Sequence, residues 1–124
     1  MKIISLQHIA IEDPGTFKDF LLADGHELTT IQLDEGENIP SNLNEFDAML
    51  CMGGPMDTFM EDDFNWLVGE KKAIGEYVLN LKKPFLGFCL GCQLLGEVLG
   101  GKVVQSNPPE IGVLDIDVSD QAIT

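Results

Sequence analysis

The sequence predicts an α/β fold, a doubly wound, mostly parallel sheet with helices on both faces. Three observations predict it. Short apolar runs alternate with stretches of helical spacing, the first run is nearly all apolar on both faces, and glycines cluster where two later runs end. A strand in a parallel sheet is covered on both sides, so it reads as a continuous apolar run.

The elements follow in chain order. Lys2 to Ile11 reads as the first, central strand. Asp13-Pro14-Gly15 breaks the chain, and Thr16 is placed to cap a short helix whose Phe17, Phe20 and Leu21 recur at helical spacing. Gly25 suits its end. Leu28 to Leu33 alternates as a second strand, and Asp47 to Met52 forms a third, buried one stopped by Gly53-Gly54-Pro55. From Trp66 to Leu81 the residues Leu67, Ile74, Val78 and Leu81 share one face of a crossover helix. Lys82-Lys83-Pro84 stops it, and Phe85 to Phe88 is a fourth strand that runs directly into Cys89. Leu90, Leu94, Leu95, Val98 and Leu99 mark a last amphipathic helix ended by Gly100-Gly101. Val103 to Gln105 and Val113 to Val118 are predicted as further strands.

Residues 1–124 have the size of one compact domain, and neither a repeat nor a linker divides them. Seven basic residues stand against 21 acidic ones, a formal charge of -14 that repels a phosphate backbone, so nucleic acid is excluded as a partner. No stretch reaches the ~20 apolar residues that span a bilayer, so no membrane role is expected. Three cysteines, an odd count in a chain too large to need disulfide staples, point to a reducing, cytoplasmic setting.

The chemistry concentrates in Gly87-Phe88-Cys89-Leu90-Gly91, a strand, sharp turn and helix with a cysteine at the corner. A nucleophile elbow needs glycine on both sides because the strained corner leaves no room for side chains two residues away. The free N–H groups at the start of the helix favour a negatively charged sulfur, and the Leu90 N–H follows the nucleophile where an oxyanion donor is needed. Gly53-Gly54 at the end of a neighbouring strand offers further backbone donors. Other readings stay open: Cys89 as an inert buried cysteine, and Cys89-Leu90-Gly91-Cys92 as a redox dithiol. Zinc binding by Cys51, Cys89 and Cys92 is weaker, for want of a second C-x-x-C or a paired histidine, and no metal or cofactor is expected.

Met52-Gly53-Gly54-Pro55-Met56, the acidic stretch to Trp66-Leu67, Gly87 to Leu95 and Leu99-Gly100-Gly101-Lys102-Val103 together resemble the stand-alone class I glutamine amidotransferases, the group similar to the glutaminase domain of GMP synthase. The resemblance runs from Leu28 to Gly112 and implies a flavodoxin-like fold. It implies hydrolysis of the glutamine side-chain amide through a Cys89 thioester, with Gly54 and Leu90 as the oxyanion hole and Gly53 and Gln93 lining the glutamine pocket. Ammonia then goes to an acceptor, which points to an acceptor domain or a synthetase partner. Glu110-Ile111-Gly112 is similar to a Glu-Ile-Gly element of the family, although Val113 stands where an aromatic residue often follows.

One part of the pattern is missing. The family completes its triad with a downstream His-x-Glu, and the only histidines here, His8 and His26, both precede the elbow. His8 reads as a structural or site-edge group and His26 as solvated. The expectation is a single domain over 1–124 that lacks its C-terminal part and is a poor catalyst alone. Two alternatives to glutamine hydrolysis are a hydrolase of γ-glutamyl bonds in small metabolites and a binding or regulatory module of the same fold.

Overall fold

The computed structural model describes residues 1–123. Four strands, β1 (Lys2–Gln7), β2 (Glu27–Gln32), β3 (Ala48–Cys51) and β4 (Phe85–Gly87), form one sheet in the order β2-β1-β3-β4. Every neighbouring pair is parallel, with Leu6 beside Ile31 and Cys51, and Cys51 beside Gly87. The helices are α1 (Gly15–Ala23), α2 (Trp66–Gly75), α3 (Leu90–Val98) and the short α4 (Asp120–Ile123).

Alternation along β1 and β3 sorts the core onto two faces. Ile4, Leu6, Met49 and Cys51 pack with Leu67 and Ile74 of α2 and Leu90 and Leu94 of α3. Ile3, Leu50 and Met52 form a smaller cluster on the opposite face, against Leu21 of α1. Burying Leu67 and Ile74 contributes ~1.5–3 kcal/mol each. The Lys71 bridges to Glu61 and Glu97, at 2.6 and 3.2 Å, involve acidic partners with 43% and 37% of their side chains exposed. Such pairs are worth ~0.2–1 kcal/mol, so apolar burial is what seats α2. Tyr77 is fully buried and its hydroxyl donates to the Phe46 carbonyl at 3.1 Å. Burial, with the charge of Asp47 adding, pushes Tyr77 up to about 12, which keeps that donor protonated.

Several expectations shift. β1 stops at Gln7 rather than Ile11, because the chain turns back there with the Glu12 N–H bonded to the Ile9 carbonyl. The start of α1 is held by Asp13, whose Oδ1 accepts from the Gly15 N–H at 3.0 Å, and Thr16 lies inside the helix. Phe17 and Phe20 are exposed, since the face that α1 covers is the smaller one. Gly25, at φ +80, closes the helix as expected: its N–H reaches Leu22 and the His26 N–H reaches Leu21. The predicted helix over Trp66–Leu81 changes register at Gly75 and continues as a π-helical turn, Glu76–Asn80. The strands expected at Val103–Gln105 and Val113–Val118 are absent: these residues have no ladder partner, and Val113, Ile116 and Val118 face outward. β-rich composition makes a strand only when a sheet edge receives it.

The start of α3 is fixed by backbone contact. A Cβ on Gly91 would lie 2.1 Å from the Cys51 carbonyl oxygen, and one on Gly87 would lie 2.5 Å from the Gly91 carbonyl carbon. Only glycine allows α3 to meet β3 and β4 this closely. Gly96, in the same helix, has nothing within 4 Å of such a Cβ. Gly91→Ala is therefore expected to lower stability by ~2 kcal/mol or more. Gly96→Ala should raise it by about 0.5–1 kcal/mol. Chemical denaturation of the two variants checks the pair, and equal effects contradict the close contact.

Candidate active site

The carboxyl ends of β1, β3 and β4 converge on one edge of the sheet, where open α/β folds bind ligands. β4 delivers Cys89 to the corner with α3, at φ 50 and ψ -106. A non-glycine residue in that conformation is strained by ~1–3 kcal/mol and persists only when its surroundings enforce it. They do: the Phe88 N–H before it donates to the Cys51 carbonyl at 2.9 Å, and the Gly91 N–H after it to the Phe88 carbonyl at 2.9 Å. The Gln93 N–H reaches back to the Cys89 carbonyl at 3.1 Å.

β3 delivers Gly53 and Gly54 beside this corner. A Cβ on Gly53 would lie 3.6 Å from the Cys89 Cβ, and one on Gly54 would lie 3.3 Å from Leu90 Cδ2. Among the described residues the N–H groups of Gly53, Gly54 and Leu90 meet no backbone or side-chain acceptor. Unpaired donors next to an exposed thiol are the raw material of an anion site.

The structure brings the predicted residues together unevenly. Cys89 and Gly53 line a cavity of about 300 Å³ with Glu12, Phe17, Met52 and Phe88. Gly54 and Leu90 touch each other at the base of the elbow, with Leu90 fully buried. Gln93 is exposed one turn into α3 and does not line that cavity. A larger cavity of about 410 Å³ lies away from the thiol, between Leu33–Leu43 and α2, and holds none of these groups.

Two features were not foreseen. Glu12 lies over Gly53, so close that a Cβ there would strike its Oε2, and Phe17 meets Phe88 edge-on at 6.3 Å. Together they give the cavity beside Cys89 one acidic and two aromatic lining side chains. The only sequence signal was the Asp13-Pro14-Gly15 turn that folds this segment over the strand ends. The second feature is a buried network under the glycines. His8 Nδ1 donates to the Gly53 carbonyl at 3.0 Å, and Nε2 faces Glu70 Oε1 at 2.6 Å. Burial pulls His8 down, but the hydrogen bond and charge of Glu70 outweigh it, so His8 is raised overall. Trp66 stacks on the imidazole at 5.3 Å.

Cys51 donates to the same Glu70 oxygen at 3.3 Å. Burial, then the charge and hydrogen bond of Glu70, pushes its thiol well up. His8, Cys51 and Glu70 hold donor atoms within 4.8 Å of one another, the arrangement a metal requires. In this structure hydrogen bonds link these donors to one another and to the Gly53 carbonyl. Cys89 and Cys92 lie outside this group, exposed and free.

Burial sets Cys51 apart from the exposed Cys89 and Cys92, and the strained corner at the start of α3 sets Cys89 apart from Cys92, which gives an expected order of thiol reactivity. Cys89 should alkylate first near neutral pH, Cys92 more slowly, and Cys51 only on unfolding, read by mass-spectrometric peptide mapping. Preferential labelling of Cys92 contradicts the elbow as the reactive corner.

The family model described as Glutamine amidotransferase class-I matches residues 18–122. The glutamine amidotransferase-like protein YfeJ of Salmonella typhimurium is 29% identical over 99% of this chain and 52% of its own length. A glutamine-hydrolysing GMP synthase subunit of Sulfolobus acidocaldarius is 38% identical over 64% of this chain and 39% of its own. Among solved structures, a glutamine amidotransferase from Thermotoga maritima superimposes with a TM-score of 0.76 at 31% identity, over 81% of this chain and 43% of that one. One from Methylobacillus flagellatus gives 0.77 at 30% identity, over 85% and 41%. The chain thus spans about half the length, or less, of the relatives it matches.

Proposed function

Because the chain belongs to the class I glutamine amidotransferase family, we propose that its parent protein hydrolyses the side-chain amide of glutamine through a thioester on Cys89 and passes the ammonia to an acceptor. The observation that carries this reading is Cys89 itself, a strained, exposed thiol between two obligatory glycines and beside unpaired N–H groups.

The chemistry follows from that layout. The Cys89 sulfur attacks the amide carbon, and the carbonyl oxygen becomes an oxyanion for which the N–H groups of Gly54 and Leu90 are the proposed donors. Collapse breaks the C–N bond; the nitrogen leaves as ammonia with a proton from an acid, and water then hydrolyses the thioester to glutamate. Gly53 and Gln93 are assigned to the glutamine pocket, Gly53 from the cavity wall and Gln93 from the first turns of α3. Glutamine is the small-molecule substrate.

Among the described residues no histidine is free to serve as acid or base at this corner, since His8 is hydrogen-bonded to Glu70 and Gly53. The resemblance gives that role to the family's downstream His-x-Glu. The likeness to a GMP synthase subunit supports an acceptor domain or a synthetase chain as the partner that takes the ammonia. A charge of -14 fits a reading without nucleic acid, and among the described residues no helix is long and apolar enough to cross a membrane. A cytoplasmic location accords with free, uncrosslinked cysteines.

In a form that includes the downstream His-x-Glu, ammonia release from glutamine is expected, and Cys89→Ser should lower it at least about 10³-fold with the fold intact. The 124-residue chain should release almost none while retaining the alkylatable Cys89. A coupled ammonia assay on both lengths checks this. Full activity after Cys89→Ser, or release from γ-glutamyl metabolites but not from glutamine, refutes it.

A further inference from the structure

The Gly53–Gly54 peptide lies beyond the sheet ladder that fixes the strands of the site. Two successive glycines carry no side chain to fix their dihedral angles, and the β3 ladder has ended with the Met52 N–H on the Leu6 carbonyl. The direction of such a peptide's polar atoms is then set by the groups that bond them. Among the described residues one group does: the His8 ring, whose Nδ1 lies 3.0 Å from the Gly53 carbonyl. A carbonyl only accepts, so Nδ1 carries the proton.

The geometry of the peptide then does the rest. The Gly53–Gly54 bond is trans, and in a planar trans peptide the C=O and N–H point in opposite directions. Pinning the Gly53 carbonyl inward on His8 turns the Gly54 N–H away from it. Gly54 lies between the two parties, because a Cβ there would be 3.1 Å from the His8 Cβ and 3.3 Å from Leu90 Cδ2. Leu90 carries the second unpaired N–H, next to Cys89.

His8 is held in turn. Glu70 from α2 takes its Nε2 at 2.6 Å, and Trp66 stacks on its ring plane at 5.3 Å and 21°. Both His8 and Glu70 are fully buried. A buried ion pair is weak as a source of stability, since apolar residues of the same volume usually serve as well, so its value lies in orientation.

We propose that the His8–Glu70 pair is a positioning device for the oxyanion hole, with the His8 Nδ1–H clamping the Gly53 carbonyl so that the Gly54 N–H faces the carbonyl oxygen of the substrate bound at Cys89. The proposal deepens the glutaminase reading and rests on it. His8 touches no reacting atom; it acts through the peptide.

Two amide substitutions divide the imidazole between them. His8→Asn keeps a donor where Nδ1 stands and loses the reach to Glu70, while His8→Gln keeps the reach to Glu70 and loses the donor to Gly53. In the protein that includes the downstream His-x-Glu, His8→Gln should lower kcat for glutamine on the order of 10²-fold with KM nearly unchanged. His8→Asn should stay within about tenfold of the parent. Affinity for glutamate γ-semialdehyde, which forms a tetrahedral hemithioacetal on Cys89, should fall in parallel with kcat. Alkylation of Cys89 by iodoacetamide develops no oxyanion and should run at the parent rate in both variants. Equal kcat in the two variants, the reverse order, alkylation that slows with kcat, or failure of both to fold makes His8 a structural residue and overturns the clamp. A parent protein that releases no ammonia, or still releases it after Cys89→Ser, sinks the glutaminase reading instead.

Discussion

The carbonyl of Cys51 is the pivot on which this site turns. It accepts the Phe88 N–H at 2.9 Å, and Gly91 lies so close that any Cβ would overlap it. These two contacts bring the end of β4 and the start of α3 against the end of β3, and the chain between them has room only for a sharp corner. Cys89 occupies that corner with a left-handed φ because its neighbours on both sides are already committed. The strain at the sulfur is a consequence of packing two residues away on either side. The same approach sets Gly53 and Gly54 beside Cys89 and Leu90, so the N–H groups and the thiol share one edge.

The elbow was legible in the sequence because its constraint is local. G-x-C-x-G following an apolar run and preceding an amphipathic stretch leaves few ways to fold, and the parallel sheet follows from the alternation around it. His8 and Glu70 were not legible as partners: 62 residues separate them, one ends a strand and the other lies inside a helix whose pattern announces only an apolar face. Glu12 was hidden for the same reason, since its place over Gly53 depends on β1 stopping at Gln7 and the chain turning back. The strands expected after Gly101 show the reverse error. Val103, Val113, Ile116 and Val118 have the composition of strands, but strand formation is decided by a receiving edge and no such edge meets them here.

Charge is used sparingly inside an acidic molecule. The surface carries most of the -14, while the interior under the site holds a single carboxylate, Glu70, with the imidazole of His8 and the thiol of Cys51 both directed at its Oε1. Cys51 is thereby kept as a thiol beneath the sheet edge, and Cys89 is left as the exposed sulfur of the site. Two cysteines, one ending β3 and one at the corner after β4, thus have opposite exposures set by their surroundings.

The central claim is that Cys89, at this corner, forms a covalent bond to the γ-carbonyl of glutamine. The most direct test is to quench the parent protein in acid during turnover with glutamine and map the adduct by mass spectrometry. A glutamyl thioester on the peptide containing Cys89, absent from the Cys89→Ser protein, is the predicted result. Ammonia released at the normal rate with the adduct on Cys92, or with no adduct under conditions that trap thioesters, contradicts it.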